Sequence, residues 1–418
     1  MLSTAPKTST AAGRAGQHVK PKGLYSAAPR DNAPPRHVCR SAAPSTPQQS
    51  SNNARDRDSV VCNFIASKTD ASMASTAKLL SRRGWAVAEA KSKLKPWSYT
   101  VGELGPGEVD IRVTHNGLCH TDLHMRDNDW GVSGFPFIPG HEVVGEVVAV
   151  GSGVKGLRPG DRAGVGWISD SCRVCANCKR GNENICEKGY TGLIVAGNHG
   201  GFQDVIRVSA DFAYTLPPGL DSAAAAPLLC AGITVYAPLR AHIHHPNTHV
   251  GVLGVGGLGH LALQFARKMG AEVTAISGRG DKEEESKGMG AHHFAVWGRD
   301  NEKFKGKFDI LINTSSGDVS TAALMSLLKV DGALVQVGIP GGGAVMHVPL
   351  QDLVFGQKRV VGSIVGGRAD MQEMLDFAAV HGIAPLVELW PLSKVNEAMQ
   401  HVADGKARYR VVLTSDWE

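Results

Sequence analysis

A glycine loop set between an apolar strand and a helix constrains this chain more than any other segment. His249-Val250-Gly251-Val252-Leu253 is an apolar run of strand length that leads directly into Gly254-Val255-Gly256-Gly257-Leu258-Gly259, and residues 260–269 continue with helical character. A lone G-x-G-x-x-G is weak. In this setting its glycines allow a tight turn and close backbone approach to a pyrophosphate, which rests on the free N–H groups and dipole of the helix start. A glycine-rich turn without a ligand is the alternative. Beyond the loop, apolar runs at residues 272–276, 308–313 and 333–338 alternate with helical stretches, the pattern of a parallel, doubly wound sheet of Rossmann type.

At the end of the next strand, about 20 residues on, a site preferring NAD carries Asp or Glu against the ribose hydroxyls. Ser277 stands there instead, followed by Arg279 and Lys282. A neutral residue removes the repulsion toward an extra ribose phosphate, and two cations offer it charge-assisted donors, so NADP is the expected cofactor. The alternative is that both cations point into solvent and pair with Asp281 and the Glu283-Glu284-Glu285 run.

The 418 residues are enough for two or three domains at roughly 100–200 residues each. Short β-branched runs such as 109–113, 143–150 and 162–165, broken by Gly and Pro, predict a mostly-β unit with a barrel-like sheet up to about residue 218. Apolar runs such as 143–150 fall well short of the roughly 18 residues of a spanning helix, so no membrane is expected. Residues 1–72 hold ten Lys and Arg against four Asp and no Glu, while the remaining chain holds 34 basic against 35 acidic residues. The folded body thus lacks a basic bias toward nucleic acid, and the positive charge belongs to a Ser-, Ala- and Pro-rich extension. That composition predicts a disordered extension, read as a transit peptide to a plastid or mitochondrion. Alternatively it is a tail ahead of a working start at Met73, which leaves a cytoplasmic protein.

Cysteine spacing carries the strongest chemical signal. Cys172, Cys175, Cys178 and Cys186 form C-x2-C-x2-C-x7-C, four thiols on polar, Gly-containing linkers that suit a closed tetrahedral zinc. Disulfides are the alternative, and the lack of a secretory signal speaks against them. A second set is scattered: Cys119, His141 and Cys230 offer two thiolates and an imidazole, leaving a fourth position open as catalytic zinc sites do. His242, His244, His245, His249, His292 and His293 crowd two further regions, as solvated loop residues or a third metal site.

Cys119-His120-Thr121-Asp122-Leu123-His124, Gly140-His141-Glu142, the four-cysteine lobe, Leu229-Cys230-Ala231-Gly232 and the glycine loop together resemble the zinc-dependent medium-chain alcohol dehydrogenases. The similarity is nearest to the cinnamyl alcohol dehydrogenase type, with its NADP-dependent aldehyde reductases, and covers about residues 84–414. Trp167 and the segment between Cys186 and Phe202 depart from that pattern. The resemblance implies a GroES-like, mostly-β catalytic domain at 73–229 and 365–418, with the Rossmann domain at 230–364 inserted. It also implies nicotinamide contacts from Thr234, Thr314, Val337, Gly338 and Ser363, a ribose-phosphate site at Ser277 and Lys282, and a homodimer.

The implied chemistry is hydride transfer between NADP(H) and a primary alcohol or aldehyde, of aromatic or cinnamyl type, with one zinc acting as Lewis acid and a second holding structure. Thr121 would exchange the proton with His124 as relay, Asp122 would orient an imidazole, and Glu142 would approach the metal or support its ligands. Each has a plainer reading: Thr121 as a helix cap, Asp122 as a capping acid, Glu142 as an ion-pair partner, His124 as a loop residue. Two other functions fit parts of the sequence. A zinc-free quinone or enoyl reductase on the same fold is opposed by Cys119, His141 and Cys230, and a non-catalytic redox sensor is opposed by Thr121 and His124 behind an open metal site.

Overall fold

A computed structural model describes residues 79–417, apart from 316, 318 and 342–344. The extension at 1–72 lies outside the described residues. Two sheets organise the rest. In the first, Glu108–Leu118 is central, paired antiparallel with Glu142–Val150, with Val205–Ser209 along its first half and with Arg410–Thr414 along its last residues. Arg162–Val165 and Tyr214–Thr215 extend one side, and Val387–Pro391 lies parallel to Arg410–Thr414 on the other. Val109, Ile111 and Val113 alternate inward and are almost wholly buried, as strand periodicity requires. Register matters here: Gly117 faces Glu142, and Leu118 faces Val411. The ends of three strands therefore meet at one point, immediately before Cys119, after His141 and at Arg410.

The second sheet is parallel, in the order His293–Val296, Glu272–Ser277, His249–Leu253, Phe308–Asn313, Leu328–Gln336, Arg359–Gly362. All five residues of His249–Leu253 are buried, as expected of a central strand covered on both faces. Sequence order reverses at this strand, so its carboxyl end opens the crevice where doubly wound sheets bind ligands. The run expected at 333–338 is longer and earlier, Leu328–Gln336, and the helix expected at 260–269 is Gly259–Lys268. Four short strands beyond residue 218 carried no sequence expectation, because four or five residues give little period to read: His293–Val296, Arg359–Gly362, Val387–Pro391 and Arg410–Thr414.

Helix Ser222–His242 joins the two sheets. Asp221 caps it, accepting from the N–H groups of Ala223 at 2.9 Å and Ala224 at 3.1 Å. Contrary to the expectation of only short apolar segments, its 21 residues are long and apolar enough to cross a membrane, yet 83% of the apolar window is buried. Packing accounts for that character: Leu228, Leu229, Ile233 and Tyr236 share one core with Val144 and Ile168 of the first sheet's side and Val250 and Ile310 of the second. Within the helix, Leu228–Gly232 widens to a π-turn. Such turns rephase the side chains that follow, and this one carries Cys230.

Candidate functional site

One ligand atom each from Cys119, His141, Glu142 and Cys230 lies within 4.8 Å of the others, and all four residues are buried. They arrive from the ends of two paired strands and from the π-turn. Gly117 is needed for that approach, since a Cβ there would stand 1.8 Å from Glu142 Oε2. Asp122 locks the arrangement. Its Oδ2 accepts from Cys119 N–H at 3.0 Å, while Oδ1 accepts from Gly140 N–H at 2.9 Å and from His141 Nδ1 at 3.0 Å. A carboxylate acceptor requires the proton on Nδ1, so that in the neutral imidazole, the form that binds a metal, the Nε2 lone pair faces Cys230 Sγ at 3.2 Å.

Within the cluster the ionisable groups act strongly on one another. Cys119 is held well below an ordinary thiol by its bond with Cys230, with Arg410 adding to the pull. Burial pushes Glu142 up to about 7 against the attraction of Arg410. One Glu142 oxygen pairs with the Arg410 guanidinium, and the other is buried with no hydrogen-bond partner. Two thiols, an imidazole lone pair and an unpartnered carboxylate oxygen are the donor set of a zinc ion, so the residues fit that metal. Trp167 walls the pocket, its ring edge-on to His141 at 5.4 Å.

Helix His120–Asp127 starts from Cys119 and carries three of the expected residues. Asp122 is buried inside the cluster, and Thr121, the residue before it, is half-buried. His124 turns its Nδ1 to Asp129 at 2.7 Å and its ring to Trp130 at 4.8 Å.

Cys172, Cys175, Cys178 and Cys186 converge separately, with sulfur atoms within 4.8 Å and no disulfide. N–H bonds from Cys178 and Glu187 draw the Cys175 thiol down to about 6, which suits a thiolate ligand. Among the described residues no third such group forms. His249 instead bonds Thr274, His293 bonds Glu272, and His292 accepts from Val273 N–H.

The crevice at the end of His249–Leu253 is shaped by its glycines. Gly254 has φ +93°, and a Cβ on Gly259 would lie 1.8 Å from the Gly254 carbonyl, so the helix start sits directly on the turn. Gly256 faces open space, which leaves the backbone free for a ligand. Gly257, by contrast, lies against Arg410, and Val255 and Leu258 pack into the core. Thr314 Oγ1 is 2.7 Å from the Gly254 carbonyl oxygen. Val337 and Gly338 follow strand Leu328–Gln336, and Ser363 N–H donates to Gln336 at 3.0 Å, so these residues line neighbouring strand ends. Thr234 is buried one turn beyond Cys230. At the other side of the crevice Ser277 closes its strand and accepts from Arg279 N–H at 3.2 Å. The two cations differ: Arg279 is 67% exposed and pairs with Asp281, whereas half-buried Lys282 donates to the Val255 carbonyl.

Arg410, Tyr409 and Glu183 were not singled out by sequence reasoning. The one available signal was a charged residue entering the apolar run Val411-Val412-Leu413.

Residues 105–218 match the alcohol dehydrogenase GroES-like domain, and residues 257–380 match the zinc-binding dehydrogenase family. A probable mannitol dehydrogenase of Fragaria ananassa is 42% identical over 340 residues, which cover 79% of this chain and 94% of that protein. The aldehyde reductase AdhA of Synechocystis is 41% identical over 336 residues, 79% of this chain and 98% of the relative. Among solved structures, a Sorghum bicolor cinnamyl alcohol dehydrogenase superposes with TM-score 0.76 at 40% identity, covering 80% of this chain and 98% of that one. The Helicobacter pylori CAD complexed with NADP(H) superposes with TM-score 0.75 at 32% identity and the same coverage. With both domains matched and nearly the full length of these relatives covered, the chain belongs to the zinc-dependent medium-chain alcohol dehydrogenases, on the cinnamyl alcohol dehydrogenase branch.

Proposed function

We propose that the enzyme interconverts a primary alcohol and its aldehyde with NADP(H), at Cys119, His141 and Cys230. The convergence of these donors and Glu142 within 4.8 Å, beside the glycine crevice, is the observation that carries the reading. Zinc in this pocket supplies Lewis-acid polarisation of a carbonyl, and NADPH supplies the hydride. Reduction also needs a proton at the substrate oxygen. Thr121 Oγ1 donates it, and His124, steadied by Asp129, returns a proton to Thr121 from water. Asp122 keeps His141 Nε2 free to ligate, and Glu142 balances the pocket's charge with Arg410. Ser277 and Lys282 take the ribose phosphate, while Thr234, Thr314, Val337, Gly338 and Ser363 border the nicotinamide.

The domain division at residues 230 and 364 is supported by strand membership, since all six parallel strands fall between His249 and Gly362. A homodimer is supported by the open edge strand Arg359–Gly362, near which Val330, Leu350, Val354 and Phe355 are between 68 and 82% exposed. For residues 1–72 we infer an organelle-targeting role, tested by fusing them to a fluorescent protein and locating it.

Native mass spectrometry together with NADPH-dependent aldehyde reduction tests the central reading. Two zinc ions per chain are expected. Cys119→Ser should lose one ion and the activity while remaining folded, and Cys175→Ser should lose the other ion and stability. A single zinc, or a disulfide within the lobe, would overturn the assignment.

A further inference from the structure

Lys282 ends the short turn Gly280–Lys282 beside the crevice, and a lysine there would ordinarily wander in solvent among Asp281, Glu283 and Glu284. It is instead drawn inward. Its ammonium donates to the Val255 carbonyl in the glycine loop and lies 5.1 Å from the ring centroid of Tyr409. Tyr409 comes from the far end of the chain, immediately before strand Arg410–Thr414, and is itself held on several sides. Its hydroxyl donates to Glu285, its ring stacks on His260 at 4.9 Å and 17°, and its N–H donates to Leu386 at 3.1 Å. Glu285 also receives Arg408, through Nη2 at 2.6 Å. His260 in turn bonds the Gly256 carbonyl at 2.9 Å, so the stack rests on the same glycine loop that receives the ammonium.

We propose that Tyr409 is a positioning residue that holds the Lys282 ammonium across the mouth between the glycine loop and Ser277, ready for the 2′-phosphate of the cofactor. This rests on the NADP reading above. The aromatic face attracts the cation without hydrogen-bonding it, so the ammonium leaves the Val255 carbonyl for a phosphate oxygen by a small rotation and keeps the ring beneath it. A carboxylate in the place of the ring would hold the ammonium but repel the phosphate. Arg408 pairs with Glu285 and also lies over the Tyr409 ring, 5.5 Å from its centroid.

Binding of 2′,5′-ADP and of 5′-AMP to the zinc-loaded enzyme, measured by calorimetry, tests the proposal without turnover. The parent should prefer 2′,5′-ADP. Tyr409→Met keeps the bulk and loses the π face, and should weaken 2′,5′-ADP about fivefold to thirtyfold while changing 5′-AMP less than about twofold. Tyr409→Phe keeps the ring and should retain the parental ratio. In a Lys282→Gln background, Tyr409→Met should add almost nothing. An unchanged ratio in Tyr409→Met, an equal loss for both nucleotides, or an equal loss of preference in Tyr409→Phe would overturn the role of the ring. A parent that does not distinguish the two nucleotides would instead remove the NADP reading, and this inference with it.

Discussion

Glu183 lies inside the four-cysteine lobe, yet its carboxylate acts on the other end of the chain. Its Oε2 accepts from Arg368 N–H at 2.8 Å and its Oε1 from Arg368 Nε at 2.9 Å. Helix Arg368–His381 begins after Gly367, which has no side chain to cap it, so Glu183 serves as the cap from 185 residues away. The two partners are unequal. Glu183 is fully buried, whereas the Arg368 side chain is 32% exposed and retains Asp211 at 3.9 Å and the face of Phe212 at 5.3 Å. Removing the arginine therefore strands a buried carboxylate with one backbone donor, a loss of about 3–5 kcal/mol. Removing the charge on Glu183 leaves a solvated cation with other partners, a loss of about 1.5–3 kcal/mol for the charged bonds. For roughly 340 folded residues, these correspond to falls in melting temperature of roughly 4–7 °C for Arg368→Met and roughly 2–4 °C for Glu183→Gln. The double variant should fall by less than the two singles together, because the stranded charge is gone. Calorimetric scans of the zinc-loaded protein measure all three. A larger fall in Glu183→Gln than in Arg368→Met, or strict additivity, would refute this account of the pair.

Thr121→Val should depress turnover strongly with zinc content and NADPH affinity little changed, and Thr121→Ser should keep much of the rate; near-normal turnover in the valine variant removes Thr121 from the proton path. Ser277→Asp should lower kcat/KM with NADPH far more than with NADH, because the new carboxylate repels the ribose phosphate, and an equal drop with both would count against the site. Burial pulls His260 down to about 4. Since the unfolded imidazole titrates near 6.5, the native state binds fewer protons between these values. Stability present above pH 6.5 is then lost as pH falls toward 4, by up to about 3 kcal/mol. His260→Gln should flatten that part of a melting-temperature profile; an unaltered slope means other groups cause it. Phe355→Glu should convert a dimer to a monomer by light scattering, and a parent that is already monomeric ends that reading.

Local patterns were enough to read the parts of this protein whose physics is local. The glycine loop needs a turn, an anion-accommodating backbone and a helix start within a dozen residues, so Gly254 to Gly259 between strand and helix was legible. So was the C-x2-C-x2-C-x7-C lobe, where all four ligands sit within 15 residues. The open metal site was only a set of separate candidates, because Cys119, His141 and Cys230 span more than a hundred residues and nothing local requires them to meet. What brings them together is the register of Glu108–Leu118 against Glu142–Val150 and the π-turn in Ser222–His242. A one-residue slip in that register would turn Glu142 to the other face of the sheet. The same holds for the residues that sequence reading passed over. Arg410 reaches Glu142 across 268 positions and Glu183 reaches Arg368 across 185, while Tyr409 reaches Lys282 across 127. A buried charge needs its partner nearby in space and is indifferent to distance along the chain. The contacts of Arg410 and Tyr409 are decided only when the last strand, Arg410–Thr414, returns to lie beside the first long one, and that of Glu183 only when helix Arg368–His381 docks on the cysteine lobe.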